Sequence, residues 1–133
     1  MSEYVRVKTR YKNLACLKAA LQDCGLTQMQ VEEGQKGQSV SLNGYQTGRT
    51  AQLVIRRQVV GTSADIGFAI GEDGAYSLVV DSDDRSKINE KLKSLSSRYS
   101  YHVIKTLAEQ NNYLVVSQSK SKGKTRIMLR RWQ

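Results

Sequence analysis

Three stretches in succession, Ile66-Gly67-Phe68-Ala69-Ile70, Gly71-Glu72-Asp73-Gly74 and Tyr76-Ser77-Leu78-Val79-Val80, decide the fold. Ile66, Phe68 and Ile70 fall on one face of an extended segment, and Tyr76, Leu78 and Val80 repeat the alternation after a four-residue turn. A period of two is that of a strand with one face buried. Upstream, Leu53 and Ile55 alternate with Val54 and Arg56, and a turn near Gly61-Thr62-Ser63 separates them from Ile66. These connections are too short for crossover helices, so the three strands pair antiparallel. Gly67, on the face opposite Phe68, leaves room for a helix or ligand to approach closely.

Working outward, Val5, Val7 and Thr9 alternate with Arg6 and Lys8, which predicts a half-buried strand over 4–9. The period then changes. Leu14, Leu17, Leu21 and Cys24 lie at helical spacing, with Asn13 as N-cap and Gly25 as the stop. A short strand over 28–32 follows. Residues 34–50 form a polar loop punctuated by Gly34, Gly37, Gly44 and Gly48, with room for a short strand at Val40 and Leu42. Asp81, Asp83 and Asp84 supply cap and first-turn acids for a long helix. Its stripe is Ile88, Leu92, Leu95, Tyr99, Val103 and Leu107, and serines at 94, 96, 97 and 100 predict a kink near Ser96-Ser97. Asn111-Asn112 ends that helix, one Asn taking the left-handed position. Strands over 113–117 and 125–132 close the chain. The whole reads as a single α+β domain over 1–133: a two-layer sandwich, mostly antiparallel sheet with two main helices on one face.

A chain of 133 residues buries enough surface to fold without disulfides or metal. No apolar run approaches the roughly 18 residues of a membrane span, and Met1 to Arg6 lacks a secretory apolar region. Cys16 and Cys24 cannot build a disulfide framework and fit a reducing compartment as small buried hydrophobes. Charge is unevenly spread. Residues 1–84 carry nine Lys/Arg and ten Asp/Glu, a net −1; residues 85–133 carry twelve Lys/Arg and two Asp/Glu, a net +10. Such asymmetry points to an anionic partner.

Signatures of catalysis are sparse. His102 is the only histidine, so no multi-histidine metal site exists, and two thiols alone hold neither zinc nor an iron–sulfur cluster. The acids at 81–84 lack the later ligands of a calcium loop. No phosphate-binding loop, dinucleotide fingerprint or nucleophile elbow occurs. The expectation is a non-enzymatic chain with no catalytic residues, metal or cofactor. An enzyme would have only His102, Asp81 and the phenols of Tyr99 and Tyr101 for acid–base work.

The basic residues are better placed. Lys120, Lys122, Lys124, Arg126, Arg130 and Arg131 put six cations within twelve residues without an acid. Strand alternation places Arg126, Met128, Arg130 and Trp132 on one face, opposite Ile127 and Leu129. Arg beside Trp suits a protein hot spot or phosphate and base contacts. Arg98, Tyr101 and His102 lie three or four apart on the long helix and form a second cluster. These ten residues, Arg98, Tyr101, His102, Lys120, Lys122, Lys124, Arg126, Arg130, Arg131 and Trp132, are the candidate partner-binding set.

Several segments together carry a family resemblance: Val5 to Leu21, Thr50 to Arg56, Asp65-Ile66-Gly67-Phe68, Tyr76 to Asp81, Arg98-Tyr99-Ser100-Tyr101-His102 and Leu129-Arg130-Arg131-Trp132. In this order they resemble the small conserved reading-frame family of plastid genomes and cyanobacteria, number thirty-five of the plastid series and classed as a domain of unknown function. The resemblance implies a plastid-stromal or cyanobacterial cytoplasmic protein and no particular activity. Charge and resemblance together lead to an accessory or assembly-type protein whose C-terminal helix and hairpin bind an acidic protein or larger complex. RNA or the ribosome is the alternative partner, and an acidic redox protein such as a ferredoxin is a further one.

Overall fold

The structure is a computed structural model and describes residues 3–35, 38–121 and 124–131. The meander forms as the alternation predicts: β5 (Leu53–Ile55), β6 (Ile66–Ile70) and β7 (Tyr76–Asp81) pair antiparallel in sequence order. β1 (Tyr4–Val7) adds to the free edge of β7 and β2 (Val31–Glu33) to that of β5, giving the order β1-β7-β6-β5-β2. The α+β reading of the chain holds.

Register sorts the sheet into two faces. Val5, Val80, Ile66 and Ile55 lie in one cross-strand row, and Val7, Leu78, Phe68 and Leu53 in the next. Their face shares one apolar cluster with Leu17, Ala20 and Leu21 of α1 (Leu14–Asp23), with Ile88, and with Leu95 and Tyr99. The sequence explains α1 closely. Asn13 Oδ1 accepts the Cys16 N–H at 3.0 Å, and Gly25 closes the helix at φ 97°.

The other face is also covered. Val54, Ala69, Val79 and Tyr4 pack with Leu42, Ala51 and Ala64. Leu42 is 3% exposed, so the loop expected over 34–50 is in part a second covering layer. Its hairpin pairs β3 (Val40–Ser41) with β4 (Thr50–Ala51). Gly67 is what lets it approach: a Cβ there would sit 2.6 Å from the Ala51 Cβ and 3.2 Å from Leu42 Cδ2. The close neighbour of Gly67 is thus this layer.

One ion-pair network fastens that layer. Arg56 donates through Nε and Nη2 to both Glu32 oxygens, and through Nη1 to the Ser41 carbonyl and, at 2.8 Å, to Asp65 Oδ2. Asp65 is 1% exposed and also accepts the N–H groups of Asn43 and Arg57. Burial would raise its carboxyl, but the N–H of Asn43, the Arg56 guanidinium and the N–H of Arg57 outweigh it and hold it below the ordinary carboxylate range. Tyr4 Oη lies 2.9 Å from the Asp65 carbonyl as a donor. Burial and the nearby carboxylates of Asp65, Asp81 and Asp84 push that phenol up to about 12.

Helical structure departs from expectation in the second half. A one-turn helix, α2 (Arg57–Val60), closes on Gly61 at φ 72°. The predicted long helix is two: α3 (Arg85–Lys91) and α4 (Leu95–Gln110). The break lies at Leu92-Lys93-Ser94, earlier than the kink expected at Ser96-Ser97. Within α4 each step of four drifts by about 40°, so Leu107, expected in the buried stripe, has turned about 120° from Leu95 and is 53% exposed. Asp81 caps the turn over Ser82–Asp84 by accepting the Asp83 N–H, as a capping acid should. Asp84 departs from that role. Its carboxylate accepts from the Ser63 N–H and hydroxyl and from the Ala64 N–H across the sheet end. Asn112 takes φ 62° after α4, as the Asn-Asn stop predicts.

Arg56→Ala leaves the buried Asp65 carboxylate without its cation and is expected to cost about 3 kcal/mol, the low end for a broken buried pair, because Arg56 keeps some solvent access. Urea unfolding measures it. Because the Asp65 carboxyl is depressed in the folded state, its contribution is complete above about pH 3.9 and is lost as pH falls through the lower folded value. A difference between the two proteins that persists undiminished at pH 2 contradicts this assignment.

Candidate binding surface

The C-terminal strands, β8 (Tyr113–Ser121) and β9 (Lys124–Arg131), form a separate two-stranded ribbon. Among the described residues it does not join the five-stranded sheet; both strands pack on α4. In register, Arg126 faces Ser119, Met128 faces Ser117, and Arg130 faces Leu114. Arg126, Met128 and Arg130 therefore share one face of β9, as alternation predicts. The opposite face carries Ile127, half-buried, beside its partner Gln118. Gln118 Oε1 accepts from Arg98 Nη1 at 3.1 Å, which turns this face to α4.

The outward face is basic with apolar residues interleaved. Arg126 and Arg130 are exposed there, and Met128 between them is 54% exposed. On the opposite face Leu129, Tyr113 and Arg131 are exposed as well. Of the remaining candidates, Lys120 and Lys124 are described through their backbone alone, paired with Thr125 and Ser121. Lys122 and Trp132 lie outside the described residues.

Arg98, Tyr101 and His102 do come together, around a residue that sequence reasoning missed. Asp23 Oδ2 accepts from Arg98 Nε at 2.8 Å and lies 2.6 Å from His102 Nε2, a contact that requires the proton on that nitrogen. The Arg98 guanidinium carbon lies 4.4 Å from the Tyr101 ring centroid, and the Tyr101 and His102 rings meet edge-on at 5.2 Å. Arg98 thus ties α1, α4 and β8 together through Asp23 and Gln118. A signal for Asp23 was available. It ends α1, where the helix dipole is negative and an acid is unfavourable unless a cation faces it. Burial would raise the Asp23 carboxyl, but the hydrogen bonds from His102 and Arg98 hold it below its ordinary range. The Cys24 thiol beside it is pushed up by burial and by the Asp23 charge.

The remaining groups considered for acid–base work are engaged in the fold. Tyr99 Oη accepts the N–H groups of Lys12 and Asn13 at 2.9 and 3.0 Å, which fixes the entry to α1. Asp81 is fully buried. Among the described residues no three His, Cys, Asp or Glu side chains stand close enough together to hold a metal ion. None of the described helices is long and apolar enough to cross a membrane.

These features define a small α+β domain with a basic ribbon carried on its last helix. Residues 20–128 match the family model described as "Protein of unknown function (DUF1257)", and the chain belongs to that family. Comparison with curated proteins and with solved structures finds no match.

Asp23→Ala removes the shared acceptor of Arg98 and His102 and is expected to cost about 1 kcal/mol, between an exposed ion pair and a buried charged hydrogen bond. Ribbon amides should exchange faster with solvent than in the wild type. The folded Asp23 carboxyl is depressed, so the stability difference should shrink as pH falls below about 3.9. Unchanged exchange in the ribbon would show that α4 packing alone holds it.

Proposed function

We propose that the chain is a non-enzymatic accessory protein that docks its basic ribbon on an acidic face of a protein partner. The observation that carries this reading is the outward face of β9, where Met128 stands between Arg126 and Arg130 on a ribbon that contains no acid from 113 to 131. Arg and Met are enriched at protein interfaces, and acids complementary to such a face would steer association. Interleaved exposed apolar side chains favour a protein face over bare phosphates. In this reading the Asp23–Arg98–His102 cluster aims the ribbon. The partner would be a subunit or assembly intermediate of a larger complex, or an acidic redox protein such as a ferredoxin. The resemblance of the sequence to plastid and cyanobacterial reading frames supports a plastid stroma or cyanobacterial cytoplasm as the setting.

RNA is the second reading, because a two-stranded ribbon bearing arginines also suits nucleic acid. Affinity capture at about 50 mM and about 500 mM salt, with and without nuclease, separates the two. For a protein partner, Arg126→Gln/Arg130→Gln should weaken capture about ten-fold, or about 1.4 kcal/mol, and nuclease should change nothing. For RNA, nuclease should release the partner, and six neutralised phosphates give a log–log salt slope of about −4 to −5. Wild-type binding by the double variant would leave the ribbon as a solubility device and defeat the proposal.

A further inference from the structure

A cavity of about 370 Å³ opens between the chain leaving β1 and the junction of α3 with α4, within the size range of small-molecule sites. Its apolar interior is built from both layers. Phe68 and Ile88, each 1% exposed, lie at the base, and the half-buried Val7, Leu78 and Leu92 form walls. The wall at Tyr11 is held in place. Its ring is tilted against Phe68 at 6.4 Å and against Tyr99 at 4.7 Å. Leu92 lies in the helix break and Leu95 directly after it, so the break shapes this opening.

The polar lining has one sign of charge. Lys8 and Arg10 contribute, with the neutral Thr9, Asn89 and Ser96, and no Asp or Glu takes part. Neither cation has a carboxylate within ion-pair distance among the described residues. Lys8 also borders a hollow with Glu72 and Asp73, and Arg10 does not line that hollow, so Arg10 is the cation least shared with an acid. An apolar chamber with an unpaired guanidinium in its lining selects for a ligand with matching parts. The body must be apolar, to replace water on Phe68 and Leu78. The head must be anionic and accept hydrogen bonds, which a guanidinium supplies in a planar fork.

We propose that this cavity binds an amphipathic organic anion, its apolar body against Phe68, Leu78 and Leu92 and its single anionic head at Arg10. The site is separate from the basic ribbon and does not depend on the ribbon's partner.

Titration calorimetry of the full chain with decanoate, decyl phosphate, decanol and decyltrimethylammonium tests it. At least one of the two anions should bind, and about ten-fold or more tightly than the neutral and cationic chains. The tighter of the two identifies the head as carboxylate or phosphate. Arg10→Glu, at an exposed position, should weaken that anion about ten-fold or more while leaving the thermal midpoint near the wild-type value. Leu78→Trp should fill the chamber and abolish binding; where it also lowers the midpoint, protection of the Leu92 and Ile88 methyl signals in the wild type locates the ligand instead. Failure of both anions to bind, equal binding of the cationic chain, or wild-type affinity in Arg10→Glu overturns the proposal. None of these outcomes bears on the ribbon, whose variants are read by macromolecular capture.

Discussion

A buried carboxylate organises one side of this molecule. Asp65 lies beneath the 40–51 layer at 1% exposure, where an unpaired charge would cost several kcal/mol. The fold meets that constraint with three donors from two segments: the Asn43 N–H, and the Arg56 guanidinium with the neighbouring Arg57 N–H. The same guanidinium reaches Glu32 on the edge strand β2 and the Ser41 carbonyl of β3. One side chain therefore joins the sheet edge, the covering hairpin and the turn before β6. The covering layer contributes little apolar area of its own, chiefly Leu42, Ala51 and the partly buried Val40. Its position depends on this polar network and on the missing side chain at Gly67. A two-residue strand pair such as β3–β4 is marginal without such support.

The sequence made some of this legible and hid the rest for physical reasons. Local signals survived well. The period-two meander, the Asn13 cap, the Gly25 stop and the left-handed Asn112 all depend on neighbours within a few residues. Signals requiring distant partners were lost. Asp84 looked like a helix-capping acid because its true donors, Ser63 and Ala64, lie some twenty residues away. Asp23 gave a local clue, an acid at a helix C-terminus, but its partners Arg98 and His102 come from α4. The stripe from Ile88 to Leu107 kept helical spacing across the break at 92–94, so periodicity alone could not show that two helices share it. The final two strands were legible as a hairpin. Their separation from the main sheet was not, because alternation states which face of a strand is buried and not which strand lies beside it.

Separation of the ribbon has an electrostatic logic. Arg126, Arg130 and Arg131 repel one another, and the cost is lower because their side chains are exposed to water. Cationic side chains also discourage pairing of an open ribbon edge with another chain. Solubility alone would be served by either sign of charge, and by polar residues between the charges. The exposed Met128 and Leu129 do not serve it, since apolar side chains on an edge ribbon promote association. Their presence among the arginines is the feature that a purely solubilising surface leaves unexplained.

Helix α4 bears the main features in order along its length. Leu95 and Ser96 at its start line the apolar cavity, Arg98 and His102 in its first half hold Asp23, and both ribbon strands pack on it. Its attachment to the body is unequal along that length. Leu95 and Tyr99 are buried in the main core, and Tyr99 also receives two backbone N–H groups ahead of α1. Ile104 and Leu107, further on, are substantially exposed. The N-terminal half is thus anchored by apolar burial and hydrogen bonds, and the C-terminal half by fewer buried side chains, Ala108 among them. The direction in which the ribbon projects is accordingly set near Arg98, whose guanidinium meets Asp23 on the body and Gln118 on the ribbon at once. A lysine there would keep the charge but not the fixed fork that reaches two acceptors, so the arginine is required by geometry and not by charge alone.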